Sequence, residues 1–137
     1  FTLSGNSSML SPALCHLGHT SVAAFAFNFA AHWTVGHYHV AKYGCGSIAA
    51  LMAVSTVTAS VLGIAYLRKN NEEVIAGGMA SSAGLITYNA FRNPQWFKFL
   101  RLHPLSWVGA LALYGAYYDK AAVGGVAGGY LAFLLAL

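Results

Sequence analysis

The chain has 137 residues, of which 58% are hydrophobic, 14% aromatic and only 7% charged. A water-soluble domain usually carries about 25% charged residues, and a disordered chain combines low hydrophobicity with high charge. The composition therefore excludes an ordinary soluble enzyme and a disordered chain. The net charge of +4 comes from basic residues spread between apolar runs, so we expect no basic face for nucleic acid. The sequence predicts a small integral membrane protein with one domain, residues 1–137.

Long apolar runs predict an all-α, multi-pass membrane bundle. A helix needs about 20 apolar residues to cross the hydrocarbon core. Residues 20–41, 47–67 and 74–91 supply three such runs, separated by short polar breaks. Basic and aromatic residues then alternate as far as Arg101, a mixture that is typical of the membrane interface. We therefore predict three transmembrane helices followed by an interfacial segment.

The tail of the chain contains two shorter apolar runs. They cover residues 105–118 and 121–137, and Asp119 and Lys120 lie between them. Two arrangements fit, namely two short helices that turn at this pair or one helix with an ion pair inside it. Because burying an ion pair in lipid is costly, we prefer the two short helices.

The charged residues indicate an orientation. If successive helices alternate in direction, one side of the membrane carries four basic residues and no acid, namely Lys42, Arg92, Lys98 and Arg101. The other side carries a balanced set, namely Arg68, Lys69, Lys120, Glu72, Glu73 and Asp119. The positive-inside rule then places the first side in the matrix, stroma or cytoplasm.

Small residues recur at helical spacing in two of the runs. Residues four positions apart share a helix face, and small side chains on that face let helix backbones approach closely in lipid. We expect such packing at Gly77, Gly78, Ser81, Ser82, Gly84, Gly124, Gly125, Gly128 and Gly129. These faces predict a tightly packed bundle. The alternative is that one face docks onto a larger membrane partner.

The acidic residues argue against catalysis and pumping. All three, Glu72, Glu73 and Asp119, lie in predicted connections, whereas proton relays and ion pathways normally place carboxylates at membrane depth. The predicted spans also contain no paired carboxylates for acid–base chemistry and no recognisable hydrolase triad. We therefore predict no catalytic residues and no enzyme activity.

Three histidines are candidate cofactor ligands. His32 and His39 lie about 10 Å apart along a helix, which is too far for one zinc ion, and His37 points away from His39. Each ring is better suited to be the single axial ligand of its own planar cofactor, chlorophyll or haem. The alternative is that the histidines cap backbone carbonyls near the helix end. His32 is the strongest candidate because ionisable residues inside membranes are usually functional.

Residues 27–91 resemble the L-type membrane subunit of photosystem I. Ala31-His32 and Lys42-Tyr43-Gly44 are similar to the Ala-His and the following Lys-x-Gly of that family's first helix. The run 47–67 is similar to its second helix, which is rich in small residues. Gly77-Gly78-Met79 is similar to the opening of its last helix.

The resemblance implies that His32 ligates the magnesium of a chlorophyll. A second ligand of that family, a glutamate, would fall at Phe27 and is therefore absent here. Residues 14–19 are similar to the Gly-His segment of the K-type subunit of the same complex. The other two histidines are further candidate chlorophyll ligands. A carotenoid or a lipid is also expected as a ligand, and haem is the alternative cofactor.

A second resemblance points to a different class of protein. Lys42-x-Gly44, Ser47-Ile48-Ala49-Ala50 and Gly63-Ile64-Ala65-Tyr66 are similar to the small four-helix transmembrane protein 14 family. That resemblance implies a small transporter of lipids or porphyrins in an organellar membrane. Such a transporter needs a polar lining at mid-membrane, and the candidates for it are Ser55, Thr56, Thr58, Thr87 and Asn89.

The sequence thus predicts a non-catalytic accessory membrane subunit of a large organellar energy-converting complex. We favour a photosystem I peripheral subunit in the thylakoid membrane, with other integral membrane subunits as partners. An accessory subunit of a respiratory-chain complex in the mitochondrial inner membrane is the first alternative, and the transporter is the second. Because the chain begins at Phe1 rather than Met, we expect that it was either processed or is incomplete, and processing would have removed a targeting segment.

Overall fold

The computed structural model of the chain describes residues 18–19, 21–70, 78–100 and 103–137. Within these ranges the chain is all-α and contains no strand, which confirms the all-α part of the predicted fold class. The helical elements are α1 Val22–Ala31, a π-helical turn His32–Gly36, α2 His37–Asn70, α3 Met79–Arg92, a 3-10 helix Pro94–Leu100, α4 Pro104–Tyr117 and α5 Lys120–Leu134.

Capping side chains determine where three of the helices begin. The Ser21 hydroxyl accepts a hydrogen bond from the backbone N–H of Ala24 at 3.1 Å and starts α1. His103 caps α4, whose first residue is Pro104, and proline is favoured at that position because its φ is already helical. Asp119 caps α5. The tail therefore forms two helices. Asp119, which lies between them, is an N-cap rather than half of an ion pair in lipid.

Gly44 divides α2 and turns the chain back on itself. Its φ of 84° and ψ of 168° are not helical. Gly36 and Ile48 would lie about 18 Å apart along a straight helix, yet a Cβ added to Gly36 would lie 3.5 Å from Cδ1 of Ile48. The chain therefore forms a helical hairpin, with residues 22–43 as its first arm and residues 45–70 as its second arm. The sequence predicted a longer break at this place.

The first arm runs parallel to α3. Nδ1 of His32 lies 3.2 Å from Oγ of Ser82, and Nδ1 of His39 lies 3.2 Å from Nδ2 of Asn89. Because residue numbers rise together along the two contacting faces, the two helices point in the same direction. The second arm, which follows the hairpin turn, lies against α3 in the opposite direction.

The last helix, α5, is antiparallel to the second arm. A Cβ on Gly128 would lie 2.6 Å from Cα of Ser55, and one on Gly124 would meet the backbone of Ala59. Residue numbers rise on α5 as they fall on the second arm. Since the second arm is antiparallel to α3, α5 and α3 run in the same direction.

Helix α4 is antiparallel to the first arm. Trp107, near the beginning of α4, lines a cavity together with Thr34. Tyr114, near the end of α4, lines another cavity together with Ala23. Successive helices therefore alternate in direction along the chain, in the order first arm, second arm, α3, α4 and α5.

The alternation gives the bundle two ends. We call them the Gly44 end, where the first arm and α3 finish, and the Asp119 end, where the second arm and α4 finish. The charged residues whose side chains are described separate as expected, with Lys42 and Arg92 at the Gly44 end and Lys69, Asp119 and Lys120 at the Asp119 end. The other five charged side chains are not described, namely those of Arg68, Glu72, Glu73, Lys98 and Arg101.

Helix α3 is the central helix of the bundle. Every residue from Met79 to Ala90 is buried. Several of these residues are small, and Ala80 and Ala83 are fully enclosed. Because the side chains of the central helix are small, the surrounding helices can approach closely. The bundle is therefore held by close backbone packing rather than by large core side chains.

The helix lengths can be compared with the three predicted transmembrane spans. Among the described residues, Val22–Leu67 is the stretch whose length and apolar composition would suffice to cross a bilayer, and Gly44 divides it into two arms of at least about 20 residues each. Helix α3 has 14 described residues, against a predicted run of 74–91. Residues 71–77 lie outside the described part, and α4 and α5 have 14 and 15 residues. Three full-length spans are therefore not observed.

Candidate functional site

The side chain of His32 is fixed by hydrogen bonds on one of its two nitrogens. Nδ1 lies 2.8 Å from the backbone carbonyl oxygen of Asn28 and 3.2 Å from the Ser82 hydroxyl. A carbonyl oxygen can only accept, so Nδ1 carries the proton and donates it. Nε2 then holds a free electron pair, and it is buried without a partner. This is the protonation state that a metal-ligating histidine adopts when a backbone carbonyl orients it.

The surroundings of His32 do not accommodate a planar macrocycle. Nε2 is enclosed by the bundle, whereas an axial bond to magnesium requires an open face at that nitrogen. The neighbouring Asn28 and Ser82 are also buried. The protonation of the ring therefore fits an axial ligand, but the space around the nitrogen does not fit a chlorophyll or a haem.

His32 also begins the π-helical turn His32–Gly36. Single π-helical turns inside longer helices are often found at functional sites, because they redirect side chains on one face. Here the turn lies where the first arm packs on α3, and its residues Val35 and Gly36 are buried. The sequence gives no warning of this turn, since its residues are ordinary for an apolar helix.

His39 is a structural cross-link between three segments. Asn89 donates from Nδ2 to Nδ1 of His39 at 3.2 Å, and Nε2 of His39 lies 3.0 Å from the Ser47 hydroxyl. The ring is fully buried. It joins the first arm, the second arm and α3 beside the hairpin turn. Neither nitrogen is left for a magnesium ion in this arrangement.

His37 lies on the surface of the bundle. Its side chain is exposed, on the opposite face of the first arm from His39, as expected from their spacing. Of the three candidate histidines, His37 is thus the one with an open approach to its ring. The structure does not bring His32, His37 and His39 together into one site.

The hydrogen bonds of His39 continue to the surface at the Gly44 end. Nδ2 of Asn93 donates to Oδ1 of Asn89 at 3.1 Å. Oδ1 of Asn93 in turn accepts from the Tyr43 hydroxyl at 2.8 Å and from the ammonium group of Lys42. Sequence reasoning missed this network, although two asparagines four residues apart on an apolar helix were a usable signal for it.

An apolar layer separates the His39 network from the His32 cluster. Val35, Leu85 and Ile86 are all buried at the level between the two histidines. On the second arm, Ser55 Oγ is buried without a partner, and the Thr56 hydroxyl donates to a carbonyl of its own helix at 3.0 Å. The hydroxyls proposed to line a transport path therefore do not form a continuous polar lining in the described part of the chain.

The predicted small-residue faces are used inside the bundle. A Cβ on Gly84 would collide with the Ser55 side chain, and one on Gly129 would lie 2.8 Å from Cα of Gly84. Gly125 meets the backbone of Ala80 in the same way. Since these faces already pack against one another, they are not available to a partner. The docking role considered for them is therefore replaced by packing within the chain.

The remaining predicted packing positions fit the same pattern where they are described. Ser81 and Ser82 are buried on α3, and Gly124 and Gly128 lie against the second arm. Gly78 packs against the backbone of Gly18. Gly77 lies outside the described residues.

No candidate metal centre is found in the described ranges. Nowhere among those residues do three or more histidine, cysteine, aspartate or glutamate side chains form a group that could hold a metal ion. His19, which is described, has an amide neighbour instead, because Asn28 donates to its Nδ1 at 2.9 Å.

Comparison with protein-family models, curated proteins and solved structures finds no match to this chain. The resemblances to photosystem I subunits and to the transmembrane protein 14 family thus remain predictions from the sequence.

Proposed function

We propose that the protein is a non-catalytic accessory subunit that spans an organellar membrane and belongs to a large energy-converting complex. The observation that carries the membrane location is the exposed surface of the bundle. Phe29 and Trp33 on the first arm are 60% and 72% exposed, and Val57 and Val61 on the second arm are 62% and 61% exposed. In water, large exposed apolar side chains on both arms would favour association, whereas in lipid they form a favourable surface.

The distribution of charge supports the same location. The described charged side chains lie at the two ends of the bundle, and none lies midway along a helix. Charged groups at both ends and apolar side chains between them match the two interfaces and the hydrocarbon core of a bilayer. We therefore propose a multi-pass arrangement in which both hairpin arms span the membrane.

The interior supports an accessory rather than a transporting role. The His39 network joins three segments by hydrogen bonds, and an apolar layer separates it from the polar side chains around His32. The assignment to photosystem I rests on the resemblance of residues 27–91. Chlorophyll ligation by His32 is supported by the protonation of the ring and opposed by the enclosure of Nε2.

The complex can be identified by native electrophoresis. A tagged full-length chain is expressed in its own organism, the membranes are solubilised in mild detergent, and complexes are separated without denaturation. Co-migration with photosystem I is the expected result. Co-migration with a respiratory complex would support the mitochondrial alternative, and a small free species with flux activity in liposomes would support the transporter.

The pigment is tested by the absorption spectrum of the purified native complex. If His32 ligates chlorophyll, the His32→Leu variant loses chlorophyll absorption, whereas the matched His37→Leu variant, changed at the exposed ring, keeps it. An unchanged spectrum in the His32→Leu complex would contradict ligation by His32. Loss of chlorophyll absorption in the His37→Leu variant alone would indicate that the exposed ring of His37 ligates the pigment.

A further inference from the structure

We propose that a groove between the first arm and α4 binds one acyl chain of an anionic phospholipid, whose phosphate lies near Lys42. This inference rests on the proposed membrane location and adds the class of ligand. Two neighbouring cavities of about 270 Å³ and 210 Å³ form the groove. Phe27 and Trp107 line both of them, so the two cavities are adjacent and together follow the first arm.

The shape of the groove suits a single hydrocarbon chain. Its wall on the first arm extends from Ala23 to Thr34, about 16 Å along the helix, which is close to half of the roughly 30 Å hydrocarbon core. Alanines make that wall shallow, and Ala30 is exposed at its edge. The opposite wall is formed by α4, including Ala110. The groove has about the depth of one leaflet, is open to lipid and is lined by apolar side chains. It therefore fits an acyl chain.

A cation lies just above the groove at the Gly44 end. Trp96 lines the groove, and its ring packs on Tyr38 with centroids 5.3 Å apart. The ammonium group of Lys42 lies 3.3 Å from the Tyr38 hydroxyl and 5.7 Å from the centre of its ring. Aromatic rings and cationic side chains are typical of the headgroup level of a bilayer.

Charge complementarity selects an anionic headgroup. The Gly44 end carries Lys42 and Arg92, and Asp119, the one acid within the described ranges, lies at the other end. An ammonium group has three N–H donors, and Lys42 gives two of them to Asn93 and Tyr38. The third N–H is left for a phosphate oxygen. Each basic residue near an anionic lipid surface also adds electrostatic attraction to that surface.

The test uses the full-length protein purified in detergent and returned to nanodiscs that contain equal amounts of phosphatidylglycerol and phosphatidylcholine with identical chains. Native mass spectrometry then counts the lipids that stay bound. We expect one retained phosphatidylglycerol. Ala30→Phe and Ala110→Phe, which fill the groove from its two walls, should abolish retention, whereas Ala26→Phe, at an exposed position on the same helix, should not.

The headgroup is tested by removing one charge at each end. Lys42→Gln should reduce the preference for phosphatidylglycerol about fivefold, and Lys69→Gln at the Asp119 end should leave it unchanged. Equal retention of the two lipids, or retention by both groove-filling variants, would overturn the proposal. A chain that needs no detergent would instead contradict the membrane location, so the two failures are distinguishable.

Discussion

Gly44 has the strongest individual effect on the fold that the structure reveals. It lets the first arm reverse into the second within one residue, because its φ of 84° with a ψ of 168° is essentially restricted to glycine. The space around it is open, with no atom within 4 Å of an added Cβ. Any penalty for a side chain there therefore comes from the backbone conformation and not from a collision.

We predict that Gly44→Ala lowers the free energy of unfolding by about 1 to 3 kcal/mol. The matched control is Gly46→Ala, which is also open but lies within the helix and should be neutral or stabilising by up to about 1 kcal/mol. Denaturation in detergent, followed by circular dichroism, measures both. Equal effects of the two substitutions would contradict the role assigned to the conformation of Gly44.

Asp119 combines a capping role with an unfavourable burial. Its carboxylate accepts from the backbone N–H of Ala121 at 3.1 Å, but burial raises the pKa of the carboxyl to about 6. A carboxyl whose folded-state pKa is raised destabilises the fold at pH values above that pKa. The penalty disappears as the pH falls through 6 to below the ordinary value of 3.8, where the folded and unfolded states are both protonated.

We predict that Asp119→Asn is more stable than the natural chain at pH 8 by roughly 2 to 3 kcal/mol, since asparagine keeps the cap without the charge. The difference should shrink as the pH falls below 6 and vanish below about pH 3, where the carboxyl is protonated in the folded and the unfolded state. Because the comparison is between two chains at each pH, the histidines contribute equally to both. A difference that does not change with pH would refute the explanation.

At the scale of helices, the packing of α3 against α5 depends on the absence of side chains. Gly129 lies directly against the backbone of Gly84, and the surrounding positions on both helices are buried. In lipid, helices associate through such close packing because there is no hydrophobic expulsion between them. One added methyl group at this contact must push the helices apart.

We predict that Gly129→Ala destabilises the bundle by about 1 to 3 kcal/mol. Gly109→Ala on α4, where an added Cβ meets nothing within 4 Å, is the control and should be neutral or slightly stabilising. Thermal unfolding in detergent compares the two variants. If both variants melt alike, close packing at Gly129 does not hold the helices together.

The sequence predicts the elements of this fold better than their contacts. Apolar runs locate the helices, and the step at Asp119 follows from its charge, because each of these signals is local. The one-residue turn at Gly44 is not predictable, since a Lys-Tyr-Gly-Cys-Gly stretch equally permits a longer loop. The partners of the candidate site are also hidden from the sequence, because His39 and Asn89 are fifty residues apart in the chain.

At the scale of the whole molecule, large apolar side chains lie on the surface and some hydrogen-bonding side chains lie in the interior. Hydrogen-bonding side chains such as His39 and Asn89 lie inside, whereas Trp33 and Val57 lie on the outside. The described charges lie at the two ends. This arrangement is the basis for the claim that both arms of the hairpin cross the membrane, with the Gly44 end and the Asp119 end on opposite sides.

The most direct test of that claim is cysteine labelling in sealed, uniformly oriented membrane vesicles with a membrane-impermeant maleimide. Cys45 is free and exposed at the Gly44 end, so the Cys15→Ser variant reports on that end alone. Tyr118→Cys, at an exposed position beside Asp119, reports on the other end in a chain that also carries Cys15→Ser and Cys45→Ser. We predict that the reagent labels the two ends from opposite sides, with Cys45 facing the matrix, stroma or cytoplasm. Labelling of both ends from the same side of intact vesicles would contradict the account.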